Sequence, residues 1–169
     1  QKFIRKYGKK QPVFISEASL ECDTRYPDES RWRVEQAEIM AKDFLISRAL
    51  GFYAYDLFLA AGSYTVGEYT FNMIQNHRVQ IGLAAVAAAA RIVENAVETE
   101  YIKLPGAARI ALFKRHDGTG AAGIWADKGY FIKPPADRDF EFTDMMGNRL
   151  APSKDGSYVL NSAPIFMTG

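Results

Sequence analysis

Pro12-Val13-Phe14-Ile15-Ser16-Glu17 is the stretch on which the fold turns: a short apolar run with no polar alternation that ends in a carboxylate. A strand with one wet face alternates apolar and polar side chains. An unbroken run such as this is how a parallel strand covered on both faces reads. The same texture returns at Phe52 to Leu59, an aromatic-rich run that carries Tyr53, Tyr55 and Asp56. Between the two, Ala37, Met40 and Phe44, with Ala41, Leu45 and Ala49, recur at three- and four-residue spacing within Arg31 to Leu50, which predicts an amphipathic helix. Gly51 stands where a left-handed terminator belongs, and Asp28 or Ser30 is placed to cap the start. The predicted order is strand, helix, strand, with loops from Ala18 to Glu29 and from Ala60 to Phe71.

Upstream, Lys2 to Gly8 reads as the last turns of a helix with a glycine stop. Downstream, Val79, Leu83, Val86, Ala90, Val93 and Val97 form one apolar stripe and predict a long helix from Asn76 to Glu98. Past Tyr101 the texture changes to short runs: Ala108 to Lys114, Gly123 to Ala126, Tyr130 to Lys133, Asp139 to Thr143, Tyr158 to Leu160, and Ile165 to Met167. Asp117-Gly118, Asp127-Lys128-Gly129, Met146-Gly147-Asn148 and Asp155-Gly156 lie between them, as antiparallel hairpins require. Two parts are expected, an α/β part over residues 1–100 and an all-β part over 101–169.

Composition narrows the partners. The 169 residues are 48% hydrophobic, enough to bury a core, and 21 Lys and Arg against 20 Asp and Glu leave a charge of only +1. A field that weak gathers neither nucleic acid nor an anionic membrane surface. The longest apolar run, Ile81 to Ala90, is far short of the roughly 20 residues that cross a bilayer, so no membrane span is expected. One cysteine, Cys22, allows no internal disulfide and reads as a small buried thiol. His77 and His116 lie on different elements without partners at ligand spacing, so neither a metal nor another cofactor is expected. The chain opens on Gln1, and the expectation is that the true N-terminus lies further upstream. The compartment stays undetermined, with secretion or a periplasmic location compatible.

Two parallel strands cannot close a sheet, and a (β/α)8 barrel needs eight strand-helix units over about 250 residues. Gly8-Lys9-Lys10-Gln11-Pro12-Val13-Phe14-Ile15-Ser16-Glu17 resembles the segment of clan A retaining glycoside hydrolases, family 39-like glycosidases among them, that leads into strand seven and ends in the nucleophilic glutamate. Gln36 to Gly51, Phe52 to Phe58 and Tyr69 to Ile74 resemble the helix, strand eight and loop that come after it. Asp144, Gly147-Asn148 and Pro164-Ile165-Phe166 are similar to late strands of the accessory sandwich. The resemblance implies an α/β plus all-β chain: the last two strand-helix units of a TIM barrel followed by a small antiparallel β-sandwich. The chain departs from the family in having Phe14 and Tyr53 or Tyr55 where tryptophans often stand, and Ser16 where threonine often precedes the nucleophile.

In that reading Glu17 is the catalytic nucleophile of a retaining glycosidase, held at the C-terminal end of a barrel strand where active sites of this fold lie. The acid/base carboxyl belongs on strand four, in an N-terminal part of the same barrel that this chain does not contain, so this chain alone is expected to be inactive. The substrate is an oligo- or polysaccharide. Tyr53 and Tyr55 either orient the nucleophile and form a sugar platform or pack inward, and both alternatives stand. Asp56 hydrogen-bonds sugar hydroxyls or caps its loop. Glu68 is expected to be solvated and Trp125 to pack in the core. Two other readings compete: a non-catalytic carbohydrate-binding or surface protein derived from such a barrel, and a complete small α+β interaction domain.

Overall fold

In the computed structural model, which describes residues 12–18, 22–23, 29–57, 65–66, 69–70, 73–75 and 78–169, the opening run is strand β1 (Phe14–Ala18). A short β2 (Cys22–Asp23) is followed by helix α1 (Glu29–Ala49) and by β3 (Ala54–Leu57), which lies parallel to β1. Of the two caps expected for α1, Ser30 lies inside the helix and Asp28 lies outside the described residues, as do residues 2–8, Glu68 and His77. For Cys22 only the backbone is described.

The end of α1 is dictated by its sequence. Gly51 adopts a left-handed φ of 79°, which costs a residue without Cβ little. That conformation lets Phe52 N–H donate to Ser47 O at 3.0 Å and Gly51 N–H to Arg48 O at 3.0 Å, the paired bonds of a Schellman stop. Arg48 then fastens the link to β3: its Nη1 donates to the carbonyls of Phe52 and Tyr53, each at 2.6 Å. Tyr53 N–H in turn donates to Val13 O at 2.6 Å, which aligns the start of β3 with β1. Arg48→Met keeps the aliphatic stem and removes both bonds, and it is expected to cost about 1–2 kcal/mol in urea unfolding.

After short hairpin strands β4 (Thr65–Val66), β5 (Tyr69–Thr70), β6 (Ile74–Gln75) and β7 (Arg78–Val79) comes helix α2 (Ile81–Val93). It is shorter than the predicted 76–98. Val79 belongs to β7 and Val97 to the next strand, both exposed, and Asn95, at a φ of 59°, turns the chain out of the helix. Arg115 satisfies the carbonyls left at that end, donating Nε to Glu94 O and Nη2 to Arg91 O, each at 3.2 Å.

Strands β8 (Ala96–Lys103), β9 (Ala108–Arg115), β10 (Gly120–Ala126), β12 (Glu141–Thr143) and β14 (Ile165–Thr168) form one antiparallel sheet in the order β12-β14-β10-β9-β8. Residue 100 lies within β8. A second small sheet pairs β11 (Tyr130–Ile132) with β13 (Tyr158–Leu160). Asp117-Gly118 joins β9 to β10 in an antiparallel hairpin, as expected, whereas Asp127-Lys128-Gly129 and Asp155-Gly156 stand between consecutive strands that do not pair with each other. Asp117 Oδ1 accepts from the hydroxyl and amide of Thr119, which holds its carboxyl below the usual range, and Asp155 does the same through Ser157.

The large sheet is covered on both faces, which explains why β10, Gly-Ala-Ala-Gly-Ile-Trp-Ala, is apolar throughout. On one side Ala111, Phe113, Ala121, Trp125 and Phe166 pack with Ala37, Ala41, Leu45 and Ala49 of α1 and with Ala85, Ala89 and Ile92 of α2. On the other, Ala108, Ala122, Ile124 and Ile165 pack with Phe142 and Leu160. Small residues bring the helix backbones close to the sheet, and each large side chain so buried contributes about 1.5–3 kcal/mol. Trp125, 4% exposed, is a core residue, stacked on Tyr101 at a centroid distance of 6.3 Å. A second helix face, Met40 with Phe44, packs with Met73, Val86, Tyr55 and Leu57. No described helix is long and apolar enough to cross a membrane.

Candidate active site

The parallel pair β1 and β3 positions the candidate residues, because strand pleat and register determine which side chains share a face. Phe14 pairs with Ala54 and Ile15 with Tyr55, but the next partner of Leu57 is Ala18. Three steps along β1 therefore match two along β3. Ser16 and Glu17 together oppose Asp56.

This shift decides where Glu17 points. Tyr55 and Leu57 face the helices: the Tyr55 ring meets Phe44 edge-on at 5.5 Å, and Leu57 joins the cluster of Met40, Met73 and Val86. Ile15 and Ala18, their partners, are half-buried. Under strict alternation from Ile15, Glu17 would enter that same helix-covered face. The extra residue instead leaves Ser16 and Glu17 both exposed, beside an exposed Asp56. Irregularities of this kind re-aim side chains and recur next to active sites. Glu17 is the penultimate residue of β1, one short of the strand's end, and Asp56 is the penultimate residue of β3, so both carboxylates stand at the C-terminal ends of parallel strands. Neither has a hydrogen bond or ion pair among the described residues.

The two tyrosines part company. Tyr53 lies just before β3 with 72% of its surface exposed, available to a ligand at the opposite end of the strand from Asp56. Tyr55 packs inward, the other of its two expected alternatives, and its hydroxyl is buried with no hydrogen-bond partner among the described residues. Burial, with Asp43 adding a smaller like-charge effect, pushes the Tyr55 phenol well above its ordinary value. Burial also raises the Asp43 carboxyl, against a smaller opposing effect of Lys42. An orphaned buried hydroxyl is a cost, so Tyr55→Phe is expected to stabilise the protein by about 1 kcal/mol in urea unfolding.

Sequence reasoning passed over Phe14, 58% exposed, and Ser16, which share the open face with Glu17 and Asp56. Exposure of Phe14 is implied by alternation once Ile15 is assigned inward. Ser16 has no such signal, because a register shift is a property of pairing. Among the described residues no group of three or more His, Cys, Asp or Glu side chains is gathered as a metal site. A cleft of about 480 Å³ between α2 and the β12–β14 edge, lined by Ala84, Arg91, Arg115, Thr143 and Met146 among others, contains none of the candidates.

No protein-family model matches the sequence, and no curated protein does. This chain does share its fold with part of a solved glycosidase structure. The catalytic domain of GH30 xylanase C from Talaromyces cellulolyticus matches with a TM-score of 0.61 over 95% of this chain and 41% of that one, at 10% sequence identity. At that identity the likeness is one of fold, and this chain spans about two fifths of that domain's length. The mixed α/β chain with its five-stranded antiparallel sheet thus has a glycoside-hydrolase-like fold.

Proposed function

We propose that the chain is the nucleophile-bearing C-terminal portion of a retaining glycoside hydrolase of clan A, family 39-like in its sequence segments, acting on an oligo- or polysaccharide. The observation that carries this reading is the exposure of Glu17 at the C-terminal end of β1, on the side turned away from the helices by the register shift. In the proposal β1 and β3 are strands seven and eight of a TIM barrel. Residues 1–100 belong to the barrel and 101–169 to an accessory β-sandwich, with β8 as the join. The outer edges of the two-stranded β1–β3 sheet pair with the rest of the barrel. A parallel pair exposing Phe14 on one face fits that arrangement, since parallel strands normally have both faces covered.

The chemistry divides between this chain and that remainder. The Glu17 carboxylate attacks the anomeric carbon and forms a glycosyl ester as the glycosidic C–O bond breaks. A second carboxyl, about 5–5.5 Å away on an earlier strand, protonates the leaving oxygen. It then takes a proton from water, whose oxygen attacks the anomeric carbon and returns Glu17 as carboxylate. Asp56 belongs to the sugar-binding surroundings, Tyr53 stands at the other end of β3, and Tyr55 supports the strand from behind.

A 2-deoxy-2-fluoro glycosyl fluoride tests this in the full-length protein. Peptide mapping is expected to find the sugar ester on Glu17. Label on another carboxylate would overturn the assignment, and no label from any sugar in a panel would favour the non-catalytic carbohydrate-binding reading.

A further inference from the structure

We infer that the cleft between α2 and the β12–β14 edge is a second sugar site, one that takes a saccharide carrying a carboxylate. The choice of a sugar rests on the reading of the chain as part of a glycosidase. The choice of an acidic one rests on the cleft itself, and its walls and its charges carry it.

The cleft is built from positions that share a face. Glu141 pairs with Thr168 and Thr143 with Phe166 across β12 and β14. Phe166 packs with the helices, whereas Phe142, between Glu141 and Thr143, packs on the opposite side of the sheet. Strand alternation therefore puts Glu141, Thr143 and Thr168 on the helix side. From the facing wall α2 presents Ala84, Ala88 and Arg91, at i, i+4 and i+7, and the alanines leave the space between helix and sheet open. At about 480 Å³ the cleft falls within the range of about 300–1,000 Å³ that small-molecule sites occupy.

The cations are held in place. Arg115 follows Phe113 by two residues on β9 and so lies on the same helix-covered side. Its Nε and Nη2 bonds to Glu94 O and Arg91 O, at 3.2 Å each, fix the guanidinium where it lines the cleft. Arg91, in the last turn of α2, lines the same cleft. The anionic side chain of the described lining, Glu141, has Arg149 4.0 Å away, so the balance of charge favours an anion.

The two walls ask for different halves of one ligand. Guanidinium forks match a carboxylate in plane and charge. The Thr143 and Thr168 hydroxyls and the Glu141 carboxylate suit sugar hydroxyls, and the Phe166 and Met146 side chains suit the apolar face of a pyranose. A neutral sugar would leave the arginines without a counter-charge, and a plain carboxylate would leave the strand wall unused. A uronic acid engages both.

Isothermal titration calorimetry tests this on the full-length protein carrying Glu17→Gln, which preserves the ligand. The probes are trigalacturonate, triglucuronate, their carboxyl-reduced counterparts and triglutamate. At least one uronate is expected to bind about tenfold or more tightly than both its reduced counterpart and triglutamate, and more weakly as salt is raised. Adding Arg91→Gln should weaken that uronate about tenfold. Adding Ala87→Trp, which puts a large side chain into the cleft from an exposed position of α2, should weaken it at least as much. Absence of binding, equal affinity for the reduced sugar or for triglutamate, or an unchanged affinity in either variant would overturn the inference. Fluoro-sugar labelling of the parent keeps the two readings apart: label on Glu17 without uronate binding leaves the nucleophile assignment standing, and uronate binding without label leaves the cleft standing.

Discussion

Glu17→Gln in the full-length protein should lower turnover of an activated aryl glycoside by roughly 10⁴- to 10⁶-fold, because nucleophile and acid act as a unit and removing either removes nearly all of the effect. Stability should barely change. Glu17 is exposed and makes no hydrogen bond or ion pair among the described residues, so the substitution breaks no structural contact and is expected to stay within about 0.5 kcal/mol in urea unfolding. The combination discriminates. A carboxylate that served the fold would lose stability and retain activity, whereas a nucleophile does the reverse. Glu98→Gln is a suitable control, since it removes an equally exposed acid on β8 that pairs with Lys114 at 2.9 Å, and turnover should be unaffected. Glu17→Ala opens space for a small anion. Added azide should then attack the anomeric carbon directly, restoring departure of the aglycone and yielding a glycosyl azide of inverted configuration.

How far these features were legible depended on whether local pattern or pairing decided them. The α1 stripe and Gly51 were readable because helix period and a left-handed stop are properties of a few neighbouring residues. The Asp-Gly turns were readable for the same reason. The overlong helix at 76–98 arose because Val79 and Val97 continue the α2 stripe by coincidence of spacing. Asn95 was the available stop signal, and the alternation of Val97, Thr99 and Tyr101 with Glu98 and Glu100 was the available strand signal. That β10 includes Gly123 to Ala126 was visible. That its cover is α1 and α2 was not, since contacts between residues far apart in the chain leave no local mark. The site divides similarly. A carboxylate near a strand end could be read, but the shift that turns Glu17 to the open face depends on which residue of β3 it meets.

The cover of β10 leads to a large stability effect where Gly123 meets Leu45. A Cβ built on Gly123 would stand 2.5 Å from Leu45 Cδ1, and Leu45 is 0% exposed. Opposing effects meet in Gly123→Ala. The Gly123 φ lies outside the left-handed region, so alanine fits the backbone and should gain about 0.4–1 kcal/mol by restricting the unfolded chain. Against this, the methyl must displace a side chain packed on all sides, which typically costs about 1–3 kcal/mol in a closed core. The clash should prevail, and a net loss of about 1–2 kcal/mol is expected from urea unfolding. Gly129→Ala isolates the first effect, because nothing lies within 4 Å of its added Cβ, and it should be neutral to slightly stabilising. Leu45→Ala isolates the second. Alone it should cost about 2–5 kcal/mol as a cavity, but combined with Gly123→Ala the new methyl occupies part of the space it vacates. The double variant should therefore be more stable than the sum of the singles by about 1 kcal/mol or more. Strict additivity would mean that α1 does not rest on β10 at this point, and the packing of the helices on the sheet would have to be redrawn.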